Sequence, residues 1–423
     1  MPENDPRRAA PVPGSARPPL AFVTPWYGPD LPGGAEALAR QTVHRLQRRG
    51  LDVEVWTTTL GGLHSDWSKN EHAPGLSRVN GVPVRRFAVS RRDKTAFDAL
   101  NWRLMQGLSI GPEDERVFIG EMFNAPDLYD HIRHHGADRL LFFVGYMFAS
   151  TYYGAQIHPR RSAIIPCLHD EAYARLALYH DLLRSARALI FNSQAELELA
   201  QRLYGRAPEQ IWEVIGMGVD HNLSWDAQRF RQKQALSTPF VLYVGRREPG
   251  KNTPLLLDYW QRYVRESGRE AKLVLMGPGD VQIPPQAASH VLDLGFASAQ
   301  DKLDAYAAAT LLCQPSVHES FSIVLLESWR AGTPVLVNGN CAVTLRHCQE
   351  SNGGLYFTSY EEFAGAVSFM LDHPHLSRAM GRQGRRYVKD NFHWNVIEEK
   401  YLNLIDQLGG QTASATTETS STV

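Results

Sequence analysis

Residues 315–335 read PSVHESFSIVLLESWRAGTPV, and this stretch indicates the fold most clearly. The apolar run 311–313 just before it predicts one strand, and residues 335–337 at its end predict another. The segment between them predicts a helix that starts near Ser322 and ends before the Gly-Thr-Pro turn at 332–334. A strand, a helix and a second strand in this order form a βαβ unit, which places both strands parallel in one sheet.

The same alternation of short apolar runs and helical patterns extends outward along most of the chain. In the first half, strands are predicted at residues 20–24, 53–58, 84–88, 140–144, 163–168, 189–191 and 212–215. In the second half, strands are predicted at residues 240–244, 273–276, 291–294, 311–313, 335–337 and 354–357. The pattern predicts an α/β protein with two doubly wound, Rossmann-like parallel-sheet domains that face each other across a cleft.

The domain boundaries are predicted from composition. A chain of 423 residues is too long for one ordinary core. Residues 1–19 are rich in Pro and Arg without the apolar run of a signal peptide, and residues 409–423 are a polar low-complexity segment, so both are expected to be disordered tails. Apolar periodicity lapses after residue 220, which predicts a first domain at 20–220 and a second at 221–390.

Composition excludes several classes of protein. The chain has 44 Lys and Arg against 45 Asp and Glu, so no general attraction to nucleic acid is expected. Its four cysteines form no CxxC pair, which favours reduced thiols and a cytoplasmic location, and no apolar run reaches the length of a membrane span. Basic residues near one another leave open a peripheral contact with anionic lipid at the inner membrane face: Arg85, Arg86, Arg91, Arg92 and Lys94.

Ligands of open α/β sheets bind beyond the carboxyl ends of strands, so the strand-to-helix turns are the candidate sites. Gly33 and Gly34 lie in the first such turn, where glycines let the backbone approach a ligand and the helix N-terminus favours an anion. A tight turn without any ligand is the alternative.

Two cations lie in the first turn of the second half, within GRREPGK at 245–251. Arg246 and Lys251 together suit a diphosphate, whose charge must be stabilised if it departs as a leaving group. The alternative is that both are solvated loop cations. Arg247 between them is expected to turn outward.

Three more candidates follow strands in the same way. Glu319 lies in the loop before a helix, where it is expected to be free to accept hydrogen bonds from hydroxyl groups, and Glu327 lies about a turn and a half into that helix. The spacing of the two glutamates alone fits an ordinary half-exposed helix equally well. His169 ends the predicted strand at 163–168, which favours contact with a ligand over a buried structural role.

Several common motifs are absent from the sequence. There is no Asp-x-Asp, no HExxH, no Cys/His cluster with metal spacing and no GxxxxGK[ST] loop. Gly277 begins a Gly-Pro-Gly that lacks the last glycine of a dinucleotide fingerprint. No metal site and no cofactor are therefore expected.

Taken together, these turns resemble the family 4 retaining glycosyltransferases of the GT-B fold (glycosyl transferases group 1), over residues 20 to 408. The segment at 315–335 is similar to the family pattern PS-xx-EGFG-xxx-LE-A-x-A-x-G-x-PV, and GRREPGK, His169 and Gly33-Gly34 follow the expected order. Ser320 and Ser322 stand where glycines are more common. The end of the chain, at about 391–408, is similar to the family's final helix, which returns to complete the first domain.

The resemblance implies a role for each residue. Glu319 would hold hydroxyls of the donor sugar, and Glu327 would accept from the nucleotide ribose. Arg246 and Lys251 would neutralise the diphosphate, and His169 would contact the sugar near the reacting carbon. The implied catalytic residues are His169, Arg246, Lys251 and Glu319. The implied donor-binding residues add Gly277, Ser320, Phe321, Ser322 and Glu327, while Gly33 and Gly34 would admit phosphate or acceptor.

The implied reaction moves a sugar, with retention and without a metal, from a UDP- or GDP-linked donor to a saccharide or lipid-linked acceptor. The expected setting is the biosynthesis of cell-surface polysaccharide or glycoconjugate. A sugar-nucleotide epimerase or a phosphorylase of the same fold is one alternative, and a non-catalytic carbohydrate-binding scaffold is another. No nucleic-acid partner is expected, and the oligomeric state is left open.

Overall fold

The structure, a computed structural model, describes residues 17–220 and 223–418 and contains two separate sheets. The first is an eight-stranded sheet in the order β3-β4-β2-β1-β5-β6-β7-β8, parallel except where β3 pairs antiparallel with β4. Its strands are β1 (Leu20–Thr24), β2 (Val53–Thr58), β3 (Gly75–Val79), β4 (Val82–Phe87), β5 (Leu140–Val144), β6 (Ser162–Ile165), β7 (Ala188–Phe191) and β8 (Ile211–Val214).

Helices connect these parallel strands. They are α1 (Gly34–Arg48), α2 (Lys94–Met105), α3 (Pro112–Gly120), α4 (Pro126–His135), α5 (Ala149–Ala155), α6 (Ala177–Ser185) and α7 (Gln194–Tyr204). Short 3-10 helices lie at Pro159–Arg161 and Ala172–Arg175. Residues 17–220, with this sheet, are called the first half below.

The second sheet has six parallel strands in the order β11-β10-β9-β12-β13-β14. Its strands are β9 (Phe240–Val244), β10 (Lys272–Met276), β11 (Val291–Asp293), β12 (Leu311–Gln314), β13 (Val335–Asn338) and β14 (Gly354–Phe357). Its helices are α8 (Ala227–Lys233), α9 (Thr253–Ser267), α10 (Ala299–Ala308), α11 (Ile323–Ala331), α12 (Ala342–Ser351), α13 (Tyr360–Asp372) and α14 (Pro374–Phe392), with 3-10 helices at Pro249–Lys251 and Pro285–His290. Residues 223–392 are called the second half.

The two parallel sheets with flanking helices are the GT-B architecture, as predicted. The central strands of both sheets, such as β1, β5, β9 and β13, are almost wholly buried between helices, as parallel strands covered on both faces must be, whereas the edge strands β3, β11 and β14 are more exposed. The boundary between the domains near residue 220 stays a prediction. Of the predicted tails at 1–19 and 409–423, residues 1–16 and 419–423 lie outside the described residues, while residues 409–418 are helical and belong to the last helix, contrary to the prediction.

The sequence prediction missed one strand, β3. Nearly every residue of Gly75–Val79 is exposed at the edge of the sheet, so the strand has no apolar face that a pattern could show. Its hairpin to β4 turns through Asn80 and Gly81, both with positive φ. Asn-Gly between two strands is the usual signal of such a turn and could have revealed the hairpin.

The end of β6 also differs from the prediction. The strand stops at Ile165 because Pro166 has no N–H to donate to the sheet. His169 was predicted to end this strand, and that prediction is wrong. It lies in the following loop, four residues beyond Ile165. Cys167 in that loop has a φ of 54°, in the left-handed region.

The last helix, α15 (Trp394–Glu418), follows the second half but packs on the first. Buried Tyr401 and Ile405 share one apolar cluster with Leu20 of β1 and Val43 of α1. Glu398 lies 3.7 Å from the guanidinium of Arg45 and 3.6 Å from that of Arg49. The apolar core of the first half is therefore completed by the last helix of the chain.

The basic residues of the first half are mostly engaged with the protein. Arg85 pairs with Glu54 at 3.1 Å, Arg86 donates to the carbonyl of Tyr27, Arg92 donates to the carbonyl of Met122, and Lys94 pairs with Asp98. Arg85 and Lys94 are thus paired with carboxylates, whereas the carbonyl contacts of Arg86 and Arg92 leave their charges in place, so the contact with anionic lipid stays a prediction. Among the described residues, no helix has the length and apolar character needed to cross a membrane.

Candidate functional site

The turn after β9 is fixed firmly in place. The hydroxyl of Tyr243 donates to the carbonyl of Arg246 at 2.6 Å, and the hydroxyl of Thr253 donates to the carbonyl of Glu248 at 3.0 Å. Asn252, with a φ of 58°, donates from its side-chain amide to the carbonyl of Pro315 at 3.1 Å. The turn that carries Lys251 is therefore tied to the loop that follows β12.

Lys251 and Glu319 meet across these two loops. The ammonium of Lys251 donates to a carboxylate oxygen of Glu319 at 2.8 Å, and both side chains are largely buried. The side-chain amide of Gln314 lies 3.4 Å from the same oxygen. Glu319 was expected to accept hydrogen bonds from hydroxyl groups; one of its oxygens already accepts from the cation in the neighbouring turn, and its contact with a sugar stays a prediction.

The prediction for Arg247 is wrong, as its surroundings and those of Arg246 show. Arg247 does not turn outward: its guanidinium is 8% exposed, donates to the carbonyl of Gly277 at 2.8 Å, and contacts the carbonyl of Gly279 and the carboxylate of Asp293. Arg246 is 28% exposed and pairs with Glu248 at 3.2 Å. Arg247 therefore holds neighbouring loops together, while Arg246 remains the more accessible cation.

Gly277 has a structural reason to be glycine. Its φ is 134°, and a β-carbon at this position would overlap the carbonyl oxygen of Gly245. The turns after β9 and β10 can approach this closely only without a side chain there. Its predicted contact with the donor stays a prediction.

His169 lies where the first half meets the second. Its Nδ1 is 3.4 Å from a carboxylate oxygen of Glu171, and its ring centroid is 6.4 Å from that of His318 in the loop after β12. Burial opposes ionisation of Glu171, but the hydrogen bond from His169 and the charges of His169, His318 and Lys251 bring its pKa below the usual value. Glu171 thus lies near Lys251 and near histidines from both halves.

Sequence reasoning missed Glu171 and His318 as site residues. Each was visible as a neighbour of a predicted residue, in His169-Asp-Glu171 and His318-Glu319. Proximity in sequence does not show which side chain turns toward the site, so the structure was needed to select them.

A buried carboxyl group anchors the loop that carries His169. Glu196 accepts hydrogen bonds from the backbone N–H of Leu168 and of Asn192, each at 2.5 Å. Complete burial raises the pKa of Glu196 to about 8, against the effect of these donors. The signal was present in the sequence, because Ser193-Gln-Ala-Glu196 is a capping box, and the Ser193 hydroxyl accepts from the Glu196 N–H at 3.2 Å.

Gly33 and Gly34 differ in what surrounds them. Gly33 has a φ of 136°, and a β-carbon there would overlap the carboxylate of Glu36, which accepts from the indole N–H of Trp26 at 2.8 Å. An anion beside Gly33 would face this carboxylate. Gly34 begins α1 with open space around it, so it is the better candidate for contact with phosphate or acceptor.

The remaining predicted residues lie on or before α11. Glu327 accepts from Lys302 at 2.7 Å and from the hydroxyl of Tyr306 at 2.8 Å, so it also joins α11 to α10. The ring of Phe321 is buried and packs edge-on against His347 and Phe392. Phe321 can therefore offer a donor only its backbone.

Ser322 caps α11 in the left-handed region, with a φ of 64°. Its hydroxyl lies 3.3 Å from the side-chain amide of Gln314, while Ser320 is partly exposed just before Phe321. A residue of this conformation is often glycine, which agrees with the substitution noted in the family pattern. The backbone N–H groups of 320–322 remain candidates for binding phosphate.

Together, Lys251, Glu319, His169, Glu171 and His318 form one site between the two halves, with Arg246 at its edge. A cation, carboxylates and imidazoles at strand ends can bind an anionic group and hydroxyls at the same time. No group of three or more His, Cys, Asp or Glu able to hold a metal ion was found in the described part of the chain.

Comparison with known proteins shows which proteins the chain is similar to. Residues 226–387 match the family model of glycosyl transferases group 1. The chain is 24% identical over 399 residues to a D-inositol 3-phosphate glycosyltransferase of Saccharomonospora viridis, with 88% of each chain covered. It is 25% identical over 422 residues to the protein of the same name from Acidothermus cellulolyticus, with 92% of this chain and 89% of that one covered.

Solved structures show the same fold. Sucrose-phosphate synthase from Thermosynechococcus elongatus superimposes with a TM-score of 0.69 at 18% identity, covering 92% of this chain and 99% of that one. Anabaena Alr3699/HepE in complex with UDP and glucose gives 0.67 at 16% identity, with 92% and 100% covered. WaaG, a glycosyltransferase involved in lipopolysaccharide biosynthesis, gives 0.62 at 17% identity, with the same coverage.

The matched segment contains Arg246, Lys251, Glu319 and Glu327, and the fold extends over both halves. The second half therefore contains a glycosyl transferases group 1 domain, and the chain is a glycosyltransferase of the GT-B fold.

Proposed function

We propose that this glycosyltransferase is a retaining, metal-independent enzyme of family 4 that uses a UDP- or GDP-linked sugar. The contact between Lys251 and Glu319 is the observation that carries the proposal. The proposal is supported because a cation suited to a diphosphate and a carboxylate suited to sugar hydroxyls lie within one hydrogen bond of each other, before the N-terminus of α11.

The proposed reaction needs little from an acid or base. In a retaining transfer on one face of the sugar, the departing phosphate oxygen takes the proton of the acceptor hydroxyl. The protein then has to stabilise the charge that develops on the diphosphate and to orient both substrates. Lys251, Arg246 and the backbone N–H groups at 320–322 would stabilise the diphosphate, and Glu319 and His169 would hold the sugar.

Several similar proteins support the proposed classes of donor and acceptor. Alr3699/HepE was solved with UDP and glucose, which favours UDP as the first donor base to test. The acceptor is proposed to be a saccharide or a lipid-linked saccharide, in cytoplasmic synthesis of cell-surface polysaccharide or glycoconjugate, and WaaG serves in lipopolysaccharide biosynthesis. Phosphorylated inositol belongs in the acceptor screen because of the names of the sequence relatives.

A donor screen tests the proposal. UDP-, GDP- and ADP-sugars are incubated with the full chain and a panel of acceptors, and nucleotide release and product mass are measured. We expect one base to be preferred and the product to keep the anomeric configuration of the donor by NMR. Isomerised nucleotide sugar would indicate an epimerase, phosphate-dependent release of a sugar phosphate would indicate a phosphorylase, and binding without turnover would indicate a scaffold.

Two substitutions test the site itself. Lys251→Met and Glu319→Gln should each lower kcat by about 100-fold or more, because each removes a group that contacts the reacting part of the donor. Lys233→Met is the matched control, since Lys233 pairs with Asp301 on an exposed surface. Wild-type turnover in both site variants would refute the assignment.

A further inference from the structure

A cavity of about 150 Å³, separate from the site described above, lies where three parts of the chain meet. It is lined by the segment between β7 and α7, by α12 and α14, and by Lys400 of α15. None of the residues proposed to bind the donor lines it. The cavity therefore needs its own explanation.

Two buried polar atoms of this cavity have no hydrogen-bond partner among the described residues. They are Oδ1 of Asn192, a residue only 2% exposed, and Nε2 of His347, which is 5% exposed. Buried polar atoms are almost always paired, because an unpaired one loses its bonds to water without replacement. Both residues line the cavity, so a molecule inside it can supply the missing bonds.

The hydrogen bonds around His347 determine whether its Nε2 atom donates or accepts a hydrogen bond. The hydroxyl of Tyr387 donates to Glu350 at 3.0 Å, so its oxygen must accept from Nδ1–H of His347 at 2.9 Å. Burial lowers the pKa of His347 to about 4, so the ring is neutral at physiological pH. Nε2 then carries a lone pair and, like Oδ1 of Asn192, requires a hydrogen-bond donor.

The charged groups of the cavity indicate whether a cationic, an anionic or a neutral ligand fits best. Lys400 donates to the carbonyl of Val214 at 3.2 Å and has further N–H groups, while Arg346 pairs with Glu198 and Glu350. A cation would be repelled by Lys400 and Arg346. An anion would face two acceptor lone pairs and the carboxylate of Glu350. A hydroxyl group matches both kinds of atom, because it donates and accepts.

We propose that this cavity binds one small neutral polyhydroxylated molecule, a polyol or a single sugar ring, through Asn192, His347 and Lys400. The space corresponds to about five water molecules at ~30 Å³ each, which suits a ligand of this size. Because residues of the first half, the second half and α15 all line the cavity, the bound molecule also links these parts and restrains movement between them.

Ligand binding by the full chain tests the proposal independently of transferase activity. Glycerol, D-glucose and inorganic phosphate are titrated separately and followed by NMR. We expect glycerol or glucose to bind, and His347→Leu to weaken that binding by about fivefold or more through loss of an acceptor. His347→Gln, which keeps an acceptor, should bind within about twofold of wild type, as one retained hydrogen bond predicts.

Two controls make the result decisive. Glu319→Ala should leave this binding unchanged, so loss of glucose binding in Glu319→Ala alone would assign glucose to the donor site and overturn the proposal. Urea midpoints establish that the His347 variants are folded. Equal binding by wild type and His347→Leu, binding of phosphate alone, no binding of any probe, or only water in the cavity of crystals grown in glucose would each overturn it.

Discussion

Adjacent arginines in the turn after β9 have different surroundings and therefore different expected roles. Arg247 is buried and is held by two carbonyl groups and a carboxylate, whereas Arg246 is partly exposed with Glu248 as its partner. A guanidinium enclosed by acceptors contributes to stability, and an accessible one can respond to a ligand.

Substitution of each arginine by methionine should separate the two roles. Arg247→Met should lower the free energy of unfolding by about 2–4 kcal/mol, because it leaves buried acceptors without a donor. Arg246→Met should change stability by less than about 1 kcal/mol but reduce transfer at least tenfold. Urea unfolding and initial rates measure the two effects, and an equal loss of stability in both variants would contradict this assignment.

Glu171 should act by positioning His169. Glu171→Gln should lower kcat by about 10- to 100-fold with little change in KM for the donor, because the imidazole loses the carboxylate that orients it. Asp170→Asn is the control, since Asp170 pairs with Arg175 and Arg202 at the surface. The same kcat in wild type and Glu171→Gln would rule out the positioning role.

The depressed pKa of Glu171 gives this group a definite pH dependence. Its folded-state pKa lies below the unfolded value, so its contribution to stability is fully present above the ordinary glutamate pKa of about 4.3 and is lost as pH falls below that value. The difference in urea midpoint between wild type and Glu171→Gln should therefore be constant near neutral pH and shrink in acid.

At the scale of elements, the two sheets are joined to their helices by turns in which glycine has distinct reasons to occur. Gly277 allows two turns to approach closely, whereas Gly34 begins a helix beside open space. The same residue type thus serves packing in one turn and access in another.

A pair of alanine substitutions distinguishes these turns. Gly277→Ala should destabilise the chain by about 3 kcal/mol or more, because the methyl group overlaps the backbone of Gly245 at a φ of 134°. Gly34→Ala should leave stability within about 0.5 kcal/mol of wild type. A loss of transfer in Gly34→Ala at full stability would support contact with substrate, and equal urea midpoints for both variants would contradict the packing argument.

The elements that sequence could predict are those with a buried, repeated pattern. The parallel strands of both sheets were found because a short, continuous apolar run indicates a strand that is covered on both faces. Edge strand β3 was missed because its residues are exposed. The predicted strand at 163–168 extends beyond the end of β6, because the apolar run continues past Pro166, which interrupts the strand. Strand boundaries depend on individual hydrogen bonds, which composition does not show.

The candidate site was predicted in outline for a similar reason. Lys251 and Glu319 were both predicted in turns beyond the carboxyl ends of strands, and the structure brings these two side chains into contact. The direction of each side chain was not predictable, as Arg247 and Phe321 show, because it depends on contacts between loops that are distant in sequence.

At the scale of the whole molecule, α15 joins the two halves. Its apolar face is buried against α1 and β1, and Glu398 extends the contact to Arg45 and Arg49. The first sheet therefore depends for part of its core on residues nearly 200 positions after its last strand, which ends at Val214.

A truncating substitution in α15 tests this dependence. Ile405→Ala should lower the free energy of unfolding by about 2–5 kcal/mol, because Ile405 is fully buried in the shared core. Asn403→Ala, on the exposed face of the same helix, should have almost no effect. Urea unfolding followed by tryptophan fluorescence measures both, and matching midpoints would show that α15 is only loosely attached.

The position of α15 has a consequence for synthesis on the ribosome. The eight strands of the first sheet emerge long before the helix that covers part of α1 and β1, and the entire second half must be translated in between. A nascent chain therefore exposes an unfinished apolar surface through most of its elongation. Protection of that surface by a chaperone is therefore expected to matter until translation is nearly complete, when the last helix can dock.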